Sequence, residues 1–298
     1  LVRAVLRIVD EVGVCRKVTQ RIGMPTETMD QPKRTGGLTV YYPAELAAIT
    51  TSQMTWGNVA LVAKDRATLT QVSRKAMRPG STIASIADQV ATEIGYAFAD
   101  KLDDEFIDGD GTSTYGGVNG IENAIGSAGI NTGTTTSEDT WAELDLANFT
   151  DTMAKLPAKY WRRTRVWLMS PAVYFAVCVK LMAAAGGNVI TGIESGANTQ
   201  VIGASGANAS FMGYPVFFTS KLPTATAVST VQCFFGNFYD GVMLGDRAST
   251  EIAQSEHRYF AENAIGIRGL ISYDLRVHEG GDASNAGSYV CFKTGAAS

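Results

Sequence analysis

The stretch PGSTIASIADQVATEIGYAFADKLDDEFIDGDG, residues 79–111, decides the fold. Its apolar residues recur every four positions, at Ile86, Val90, Ile94, Phe98, Leu102 and Phe106. This spacing predicts an amphipathic helix, and the Gly-Asp-Gly ending predicts where that helix stops. We therefore expect one continuous helix over residues 82–108, roughly 40 Å long at 1.5 Å per residue. An average globular helix is only about half that length, so this one spans a whole domain.

The segment before this helix has the pattern of an extended arm. Leu38, Val40 and Tyr42 alternate with Thr39 and Tyr41, and residues 67–73 are again typical of a strand. We expect a two-stranded arm over residues 38–78. An isolated two-stranded ribbon is only marginally stable, so the arm needs a neighbour to lie on, such as another subunit.

The rest of the chain mixes helices and strands without a strict alternation, which favours an α+β fold. A short amphipathic segment (5–12) and a turn-rich connector (24–37) precede the arm. After the long helix we expect helices over 141–156 and 171–184, a long loop over 186–210, and strands over 166–169, 216–219, 231–235, 242–244, 267–277 and 289–293.

Length and composition narrow the class of protein. The chain has 298 residues, 45% of them apolar and 18% charged, which suits one or two folded domains. A net charge of −4 argues against a protein whose main task is to neutralise phosphates. Lys180 interrupts the longest apolar run, residues 171–187, so this run does not predict a membrane span. The first residues of the chain do not have the pattern of a signal peptide. We therefore expect a soluble protein made inside the cell, with Leu1 as a processed or trimmed start.

The sequence gives little support for a metal site, a phosphate-binding loop or a catalytic histidine. The four cysteines (15, 178, 233 and 291) form no CxxC pair, so we expect buried free thiols and no zinc site. The segment 109–117 lacks the GK[ST] and GxGxxG spacings of phosphate loops, which leaves a tight turn. His257 and His278 have no partner constellation, so we interpret them as structural.

Two charged clusters remain as candidates. One is a group of carboxylates, which consists of Asp103, Asp104, Glu105, Asp108 and Asp110. These residues lack the ligand spacing of an EF-hand, so we interpret them as the solvated end of a helix with a basic partner nearby. The basic run is interleaved with aromatic residues, which suits nucleic acid or, as we prefer, a subunit contact: Lys159, Tyr160, Trp161, Arg162, Arg163, Arg165 and Trp167. We expect no catalytic, cofactor-binding or metal-ligating residues.

Four further passages carry a resemblance. They are FIDGDGT (106–112) followed by GVNGI (117–121), VWLMSP (166–171), FMGYPVFFTSKLP (211–223) and FGNFYDGVMLGDR (235–247). In this order, and covering most of residues 60–280, they resemble the major capsid proteins of tailed bacteriophages with the Hong Kong 97-like fold. Asn237 stands where that family usually has Asp.

The resemblance implies an architecture. It consists of an N-terminal arm (1–37), an E-loop (38–78), a peripheral domain (79–140 and 265–298) with a spine helix (82–108), and an axial domain (141–264) whose 186–210 loop lies near the capsomer axis. It also implies that Leu1 follows a removed scaffolding segment. Relatives that crosslink use a lysine on the arm. Lys64 and Lys75 are available here, but without a recognisable Asn or Glu partner we expect no crosslink.

The function implied is assembly. Hexamers and pentamers of the chain would form an icosahedral shell that encloses double-stranded DNA, in a virion assembled in the host cytoplasm. Scaffolding, portal and cement proteins are further implied partners, and no membrane or enzymatic activity is expected. Two alternatives stay open at this point. One is an encapsulin-like nanocompartment shell, and the other is a soluble hydrolase that uses the carboxylates of residues 103–110.

Overall fold

The long helix is present and packs on a sheet as its apolar stripe predicts. The computed structural model describes residues 9–75, 86–133, 138, 140–184 and 207–296, and the helix is described over Ile86–Asp108. The first turn of the predicted helix, residues 82–85, lies outside the described residues. The buried stripe includes Ile94 and Phe98. Both approach Gly269, where an added Cβ would lie 2.8 and 3.2 Å from them, so the missing side chain lets helix and sheet come close.

The described residues form twelve strands. They are β1 (Gln20–Gly23), β2 (Thr28–Gly36), β3 (Thr55–Val62), β4 (Lys64–Ser73), β5 (Ile130–Thr132), β6 (Val166–Met169), β7 (Ala209–Phe211), β8 (Tyr214–Phe218), β9 (Val231–Gly236), β10 (Val242–Ser255), β11 (Ala264–Val277) and β12 (Tyr289–Lys293). Other α-helical segments are Cys15–Val18, Ile121–Ala124, Leu146–Ala154 and a run from Pro171–Val173 through a π-helical Tyr174–Cys178 to Val179–Ala184. Short 3-10 helices cover Ser113–Tyr115, Ser127–Gly129 and Ala158–Arg162. None of the described helices is long and apolar enough to cross a membrane.

These strands build two larger sheets and one separate pair. The first sheet has the order β1-β10-β11-β4 and lies under the long helix. β1 runs parallel to β10, with Gln20 opposite Met243, and the other pairings are antiparallel. The second sheet has the order β5-β12-β9-β6-β8-β7 and is mixed, with β5 parallel to β12. β2 and β3 form the separate antiparallel pair.

The second sheet is buried on both faces. Leu168 and Phe234 point into the apolar cluster shared with the long helix. Their neighbours Trp167 and Phe235 point into a second cluster, where their rings lie 4.5 Å apart. Two-sided burial explains why β6 is a continuous apolar run and why β9 contains only one polar side chain, the buried Gln232, which accepts a hydrogen bond from Trp141.

The arm exists, but its strands are not where the sequence predicted them. No strand covers residues 38–42, and the predicted connector 24–37 contains β2. The predicted strand at 67–73 is confirmed as part of β4, but it pairs with β11 and not with the other arm strand. The arm is therefore the hairpin of β2 and β3. Because most of β2 is exposed, its sequence carries no apolar alternation to mark it.

Most other predicted elements are confirmed with shifted ends. The strands at 166–169 and 289–293 match their predicted bounds. The strand predicted at 242–244 continues to Ser255, and the helix predicted over 141–156 is shorter because Asp145 and Asn148 form a capping box at its start. Most of the predicted loop, 186–206, lies outside the described residues, and its end lies in β7, which corrects the loop boundary.

Candidate functional site

The arm ends in an exposed apolar tip, residues 37–54. Val40 is 82% exposed and Tyr42 98% exposed, and four further apolar side chains beside them are exposed as well: Leu38, Tyr41, Leu46 and Ile49. Folded monomers rarely leave so many neighbouring large apolar side chains in water. The tip therefore has the composition of a protein contact.

A tight turn forms the end of the tip. The amide of Ala47 donates to the carbonyl of Ala44 at 3.0 Å, and Thr39 and Ser52 hydrogen bond across the two sides. Leu46 occupies the left-handed region with φ 63°, which a branched residue adopts only at a conformational cost. Its side chain is fully exposed. Glu45, directly before it, is the single charged residue of the tip.

The arm also presents free strand edges. Among the described strands, β2 and β3 pair only with each other. Apart from the amide of Val62, which donates to Asp274, their outer N–H and C=O groups have no strand beside them in the described part of the chain. Unpaired edges of this kind are reactive surfaces that folded proteins normally cover. Edge and tip together make the arm a candidate assembly surface.

The base of the arm is tied to the body by polar contacts. The amide of Val62 donates to Asp274 Oδ2 at 2.8 Å, and Lys33 Nζ lies 3.2 Å from Glu279 Oε1. Tyr160 donates to the other oxygen of Glu279 at 2.6 Å. Glu279 thus connects β2 to the segment before β6, and these contacts fix the direction in which the arm leaves the body.

A buried ion pair anchors β4 to the long helix. Arg66 Nη2 lies 2.7 Å from Glu105 Oε2, with both side chains nearly inaccessible. The guanidinium also stacks over the ring of Tyr273 at 4.0 Å and donates to the carbonyl of Tyr273. Strand, helix and β11 are held at one point by this residue.

The predicted acidic cluster is therefore a set of structural contacts, and its interpretation as a solvated helix end is wrong for Asp103 and Glu105. Asp103 accepts the amides of Val14 and Cys15 at 3.0 and 2.8 Å, which fastens the N-terminal segment to the helix. Asp104 pairs with Lys101 at 2.9 Å, and Lys221 Nζ lies 3.8 Å away, so the expected basic partners are present.

The last two carboxylates of the cluster differ in environment. Desolvation, with Glu122 and Asp104 nearby, raises the pKa of Asp108 to about 6. Asp110 is exposed, and hydrogen bonds from Thr112 lower its pKa as it closes the predicted tight turn. Within the described part of the chain, no three His, Cys, Asp or Glu side chains are grouped closely enough to hold a metal ion.

The remaining candidate residues have structural surroundings. The four cysteines are buried and unpaired, as expected. Burial, with a contribution from Lys33, lowers the pKa of His278, whereas His257 is exposed. Lys64, one of the two lysines considered for crosslinking, donates to the carbonyl of Gly116 in its own chain.

The basic run does not form a stacking surface for bases. Trp167 is fully buried in the core, and Tyr160 is buried too. Arg165 is stacked on Trp161 and Tyr214 at 4.8 and 5.0 Å within the same chain. The basic residues left at the surface are Lys159, Arg162 and Arg163, and the subunit contact expected for this run stays a prediction.

Comparison with known proteins is consistent across sequence and fold. The model of the phage capsid family matches residues 2–279. The structure is similar to the capsid of the native GTA particle (18% identity, TM-score 0.72, covering 95% of this chain and 90% of that one). It is also similar to chains of Mycobacterium phage Bobi (18%, TM-score 0.68, 98% and 90%) and Gordonia phage Cozz (13%, TM-score 0.68, 95% and 87%). No match is found among curated proteins.

Proposed function

This chain belongs to the phage capsid family and is a major capsid protein, and from that premise we propose that it assembles as hexamers and pentamers into the icosahedral shell of a tailed bacteriophage around double-stranded DNA. The exposed arm carries this proposal, because its tip and its strand edges need a second chain. Assembly of the virion in the host cytoplasm, with scaffolding, portal and cement proteins as partners, belongs to the same proposal. So does a purely structural role without enzymatic activity.

We further propose that the domain division follows the family pattern. Residues 79–140 and 265–298 would form the peripheral domain and 141–264 the axial domain. The arm itself is better bounded by its strands, from Thr28 to Val62. The long helix and β11 support the peripheral domain, and β6 and β9 support the axial domain. The sheets cross these bounds at three strands, since β10 lies in the sheet of the long helix and β5 and β12 lie in the other sheet.

Burial of the tip on a neighbour supplies the free energy for shell formation. Burying a side chain such as Val40, Tyr42 or Ile49 contributes about 2 kcal/mol each. Part of this gain offsets the loss of translational and rotational freedom on association. Because every subunit both gives and receives an arm, many such contacts add up to a stable shell.

The test uses two matched triple variants of the tip. In the first, Val40→Thr, Tyr42→Ser and Ile49→Thr make the tip polar. In the second, Val40→Ile, Tyr42→Phe and Ile49→Leu keep it apolar. Both change exposed residues only, so both should melt like the parent subunit. We expect shells from the parent and the apolar variant, and unassembled subunits from the polar variant, by sedimentation and negative-stain microscopy.

The content of the particles distinguishes a phage capsid from a nanocompartment. Particles that hold nucleic acid support the phage capsid, whereas shells filled with protein would favour the nanocompartment alternative. Parent protein that stays a small oligomer under all assembly conditions would refute the proposal. The hydrolase alternative has no support in the family match, and its Asp103 and Glu105 are engaged in structural contacts.

A further inference from the structure

A cavity of about 560 Å³ lies between the N-terminal segment, the loop before β6 and the loop after β9. Its cationic lining residues are Lys17, Arg162 and Arg163, and its apolar lining includes Val166, Phe217 and Phe238. None of the structural contacts described above uses this space. A cavity that combines an apolar floor with several cations suits a segment with an apolar side chain beside a carboxylate.

The charges around this cavity are not balanced within the chain. Arg163 Nε lies 3.4 Å from Asp240 Oδ1, and its guanidinium lies 5.0 Å from the ring of Tyr239. Neither Arg162 nor Lys17 forms an ion pair with any residue in the described ranges. The cavity therefore has an excess of positive charge in a chain whose net charge is −4, and it attracts an anionic group from outside the subunit.

We propose that this cavity receives the arm tip of a neighbouring copy of the chain, with Glu45 against Arg162 and Arg163 and with Leu46 on the apolar floor. The inference rests on the proposed shell function and names the receiving site. The charges are complementary, since Glu45 is the only charged residue of the tip. The turn places this carboxylate and the fully exposed Leu46 side by side at its end.

A second cavity of similar size serves as the comparison. It also measures about 560 Å³ and is lined by apolar residues such as Val12, Tyr96 and Phe218. Its charged lining residues, however, are Asp100 and Asp103. Asp100 is paired with Lys221 at 2.8 Å, so Asp103 is the carboxylate that would repel Glu45, because like charges brought together at an interface are unfavourable. Between two cavities of equal volume, charge selects the basic one.

Cysteine crosslinking between subunits tests the assignment. All four native cysteines are buried, so a short bismaleimide reacts with introduced surface cysteines. Chains with Ala44→Cys, next to Glu45, are assembled together with chains carrying Thr164→Cys in the cavity lining, so Glu45, Arg162 and Arg163 all stay in place. The shells are treated and run on a denaturing gel. We expect about tenfold more covalent dimer than in shells of either variant alone. The matched control replaces Thr164→Cys by Ser220→Cys, at the acidic cavity, and should give no excess of dimer.

The outcomes separate this inference from the proposed function. Shells that form without a Thr164-specific dimer, or with equal dimer from the Ser220 control, would overturn the assignment of the cavity while the shell function stands. Parent protein that forms no shells would instead refute the shell function.

Charge reversal gives a second measurement that does not depend on crosslinking. Glu45→Lys alone and Arg162→Glu alone should each lower the yield of shells by about tenfold. The combination should restore the yield, since the Glu45–Arg162 pair is reversed as a whole and Arg163 keeps its contact with Asp240. If Glu45→Lys has no effect and the arginine variant loses packaged DNA, the cavity binds phosphate and the inference is wrong.

Discussion

Removing Arg66 should destabilise the subunit more than removing any surface arginine. In the Arg66→Ala variant, the Glu105 carboxylate stays buried, with 2% of its side chain exposed, and loses both of its guanidinium contacts. The carbonyl of Tyr273 loses a donor, and the ring of Tyr273 loses its stacked cation. A single change thus leaves several buried polar atoms without partners.

The size of the effect follows from burial. Breaking a buried ion pair by removing one partner costs about 3–5 kcal/mol, because the remaining charge is uncompensated. The same chain offers an exposed comparison, since Arg268 lies 2.9 Å from Glu251 with about half of each side chain accessible. Exposed pairs contribute about 0–1 kcal/mol. Residue types and distances of the two pairs are nearly equal, so the difference between the variants measures burial of the pair together with the contacts of Arg66 to Tyr273.

Urea unfolding of the unassembled subunit measures this difference. With a denaturant dependence of about 3 kcal/mol per M for a chain of this size, Arg66→Ala should lower the midpoint by about 1 M or more. Arg268→Ala should lower it by about 0.3 M or less. A double variant, Arg66→Met with Glu105→Met, should recover most of the loss, because apolar residues of similar volume replace the pair.

Equal midpoints for Arg66→Ala and Arg268→Ala would refute this reasoning. So would a double variant less stable than Arg66→Ala, since the loss would then come from packing volume and not from the uncompensated carboxylate of Glu105. Hydrogen exchange along β4 distinguishes local release of the arm base from global unfolding in each variant.

Three further predictions concern the long helix and its surroundings. Asp103→Ala should lower the free energy of unfolding by about 2–3 kcal/mol and speed amide exchange at Val14 and Cys15, because their N–H groups lose their acceptor. The control Asp100→Ala removes a partly exposed contact with Lys221 and should lower it by less than about 1 kcal/mol. The pKa of Asp108 is raised to about 6, so the protonated carboxyl favours the folded state and this contribution is lost as the pH rises from about 4 to 6. Asp108→Asn should remove this pH dependence and raise the free energy of unfolding at pH 7 by about 1 kcal/mol, after allowance for partial exposure. An unchanged pH profile of unfolding would contradict this prediction. Gly120→Ala should cost about 1–3 kcal/mol in urea unfolding because its Cβ would lie 2.7 Å from the amide of Gly109, whereas Gly23→Ala, with nothing within 4 Å, should be neutral or slightly stabilising.

Elements with a buried face could be predicted from the sequence. The four-residue repeat marks one side of the long helix because its described side chains, from Val90 to Phe106, pack in the apolar cluster shared with the first sheet. The apolar runs of β6 and β12 mark strands because neither face of their sheet meets water. In each case the pattern reports burial, and burial within the subunit was enough to fix the element.

The arm was misplaced for the same physical reason. β2 contains Pro32 and is exposed along most of its length, so its strand conformation comes from backbone pairing with β3 and leaves no apolar alternation. The residues around Tyr42 do have side chains typical of strands, but they form the exposed tip. A sequence pattern cannot separate apolar residues meant for the subunit core from those meant for a partner.

The candidate site depended on contacts between distant residues. Asp103 and Glu105 are two positions apart, yet one binds amides at Val14 and Cys15 and the other binds Arg66. These partners are far from Asp103 and Glu105 in the sequence, so no local motif indicates the contacts, and the cluster has the pattern of a solvated helix end. The resemblance to capsid proteins supplied the fold, whereas the basic cavity beside Arg162 became visible only when three separate segments were placed together.

The parallel pairing of β1 with β10 has a consequence for the time course of folding. Gln20 must find Met243, and Ile130 must find Cys291, so both sheets acquire edge strands from opposite parts of the chain. Pairings of such long sequence separation make folding slow. During synthesis, the N-terminal strand waits, exposed, until more than two hundred residues have followed it. Slow pairing of this kind leaves apolar surface and strand edges of a newly made subunit exposed to aggregation while it folds.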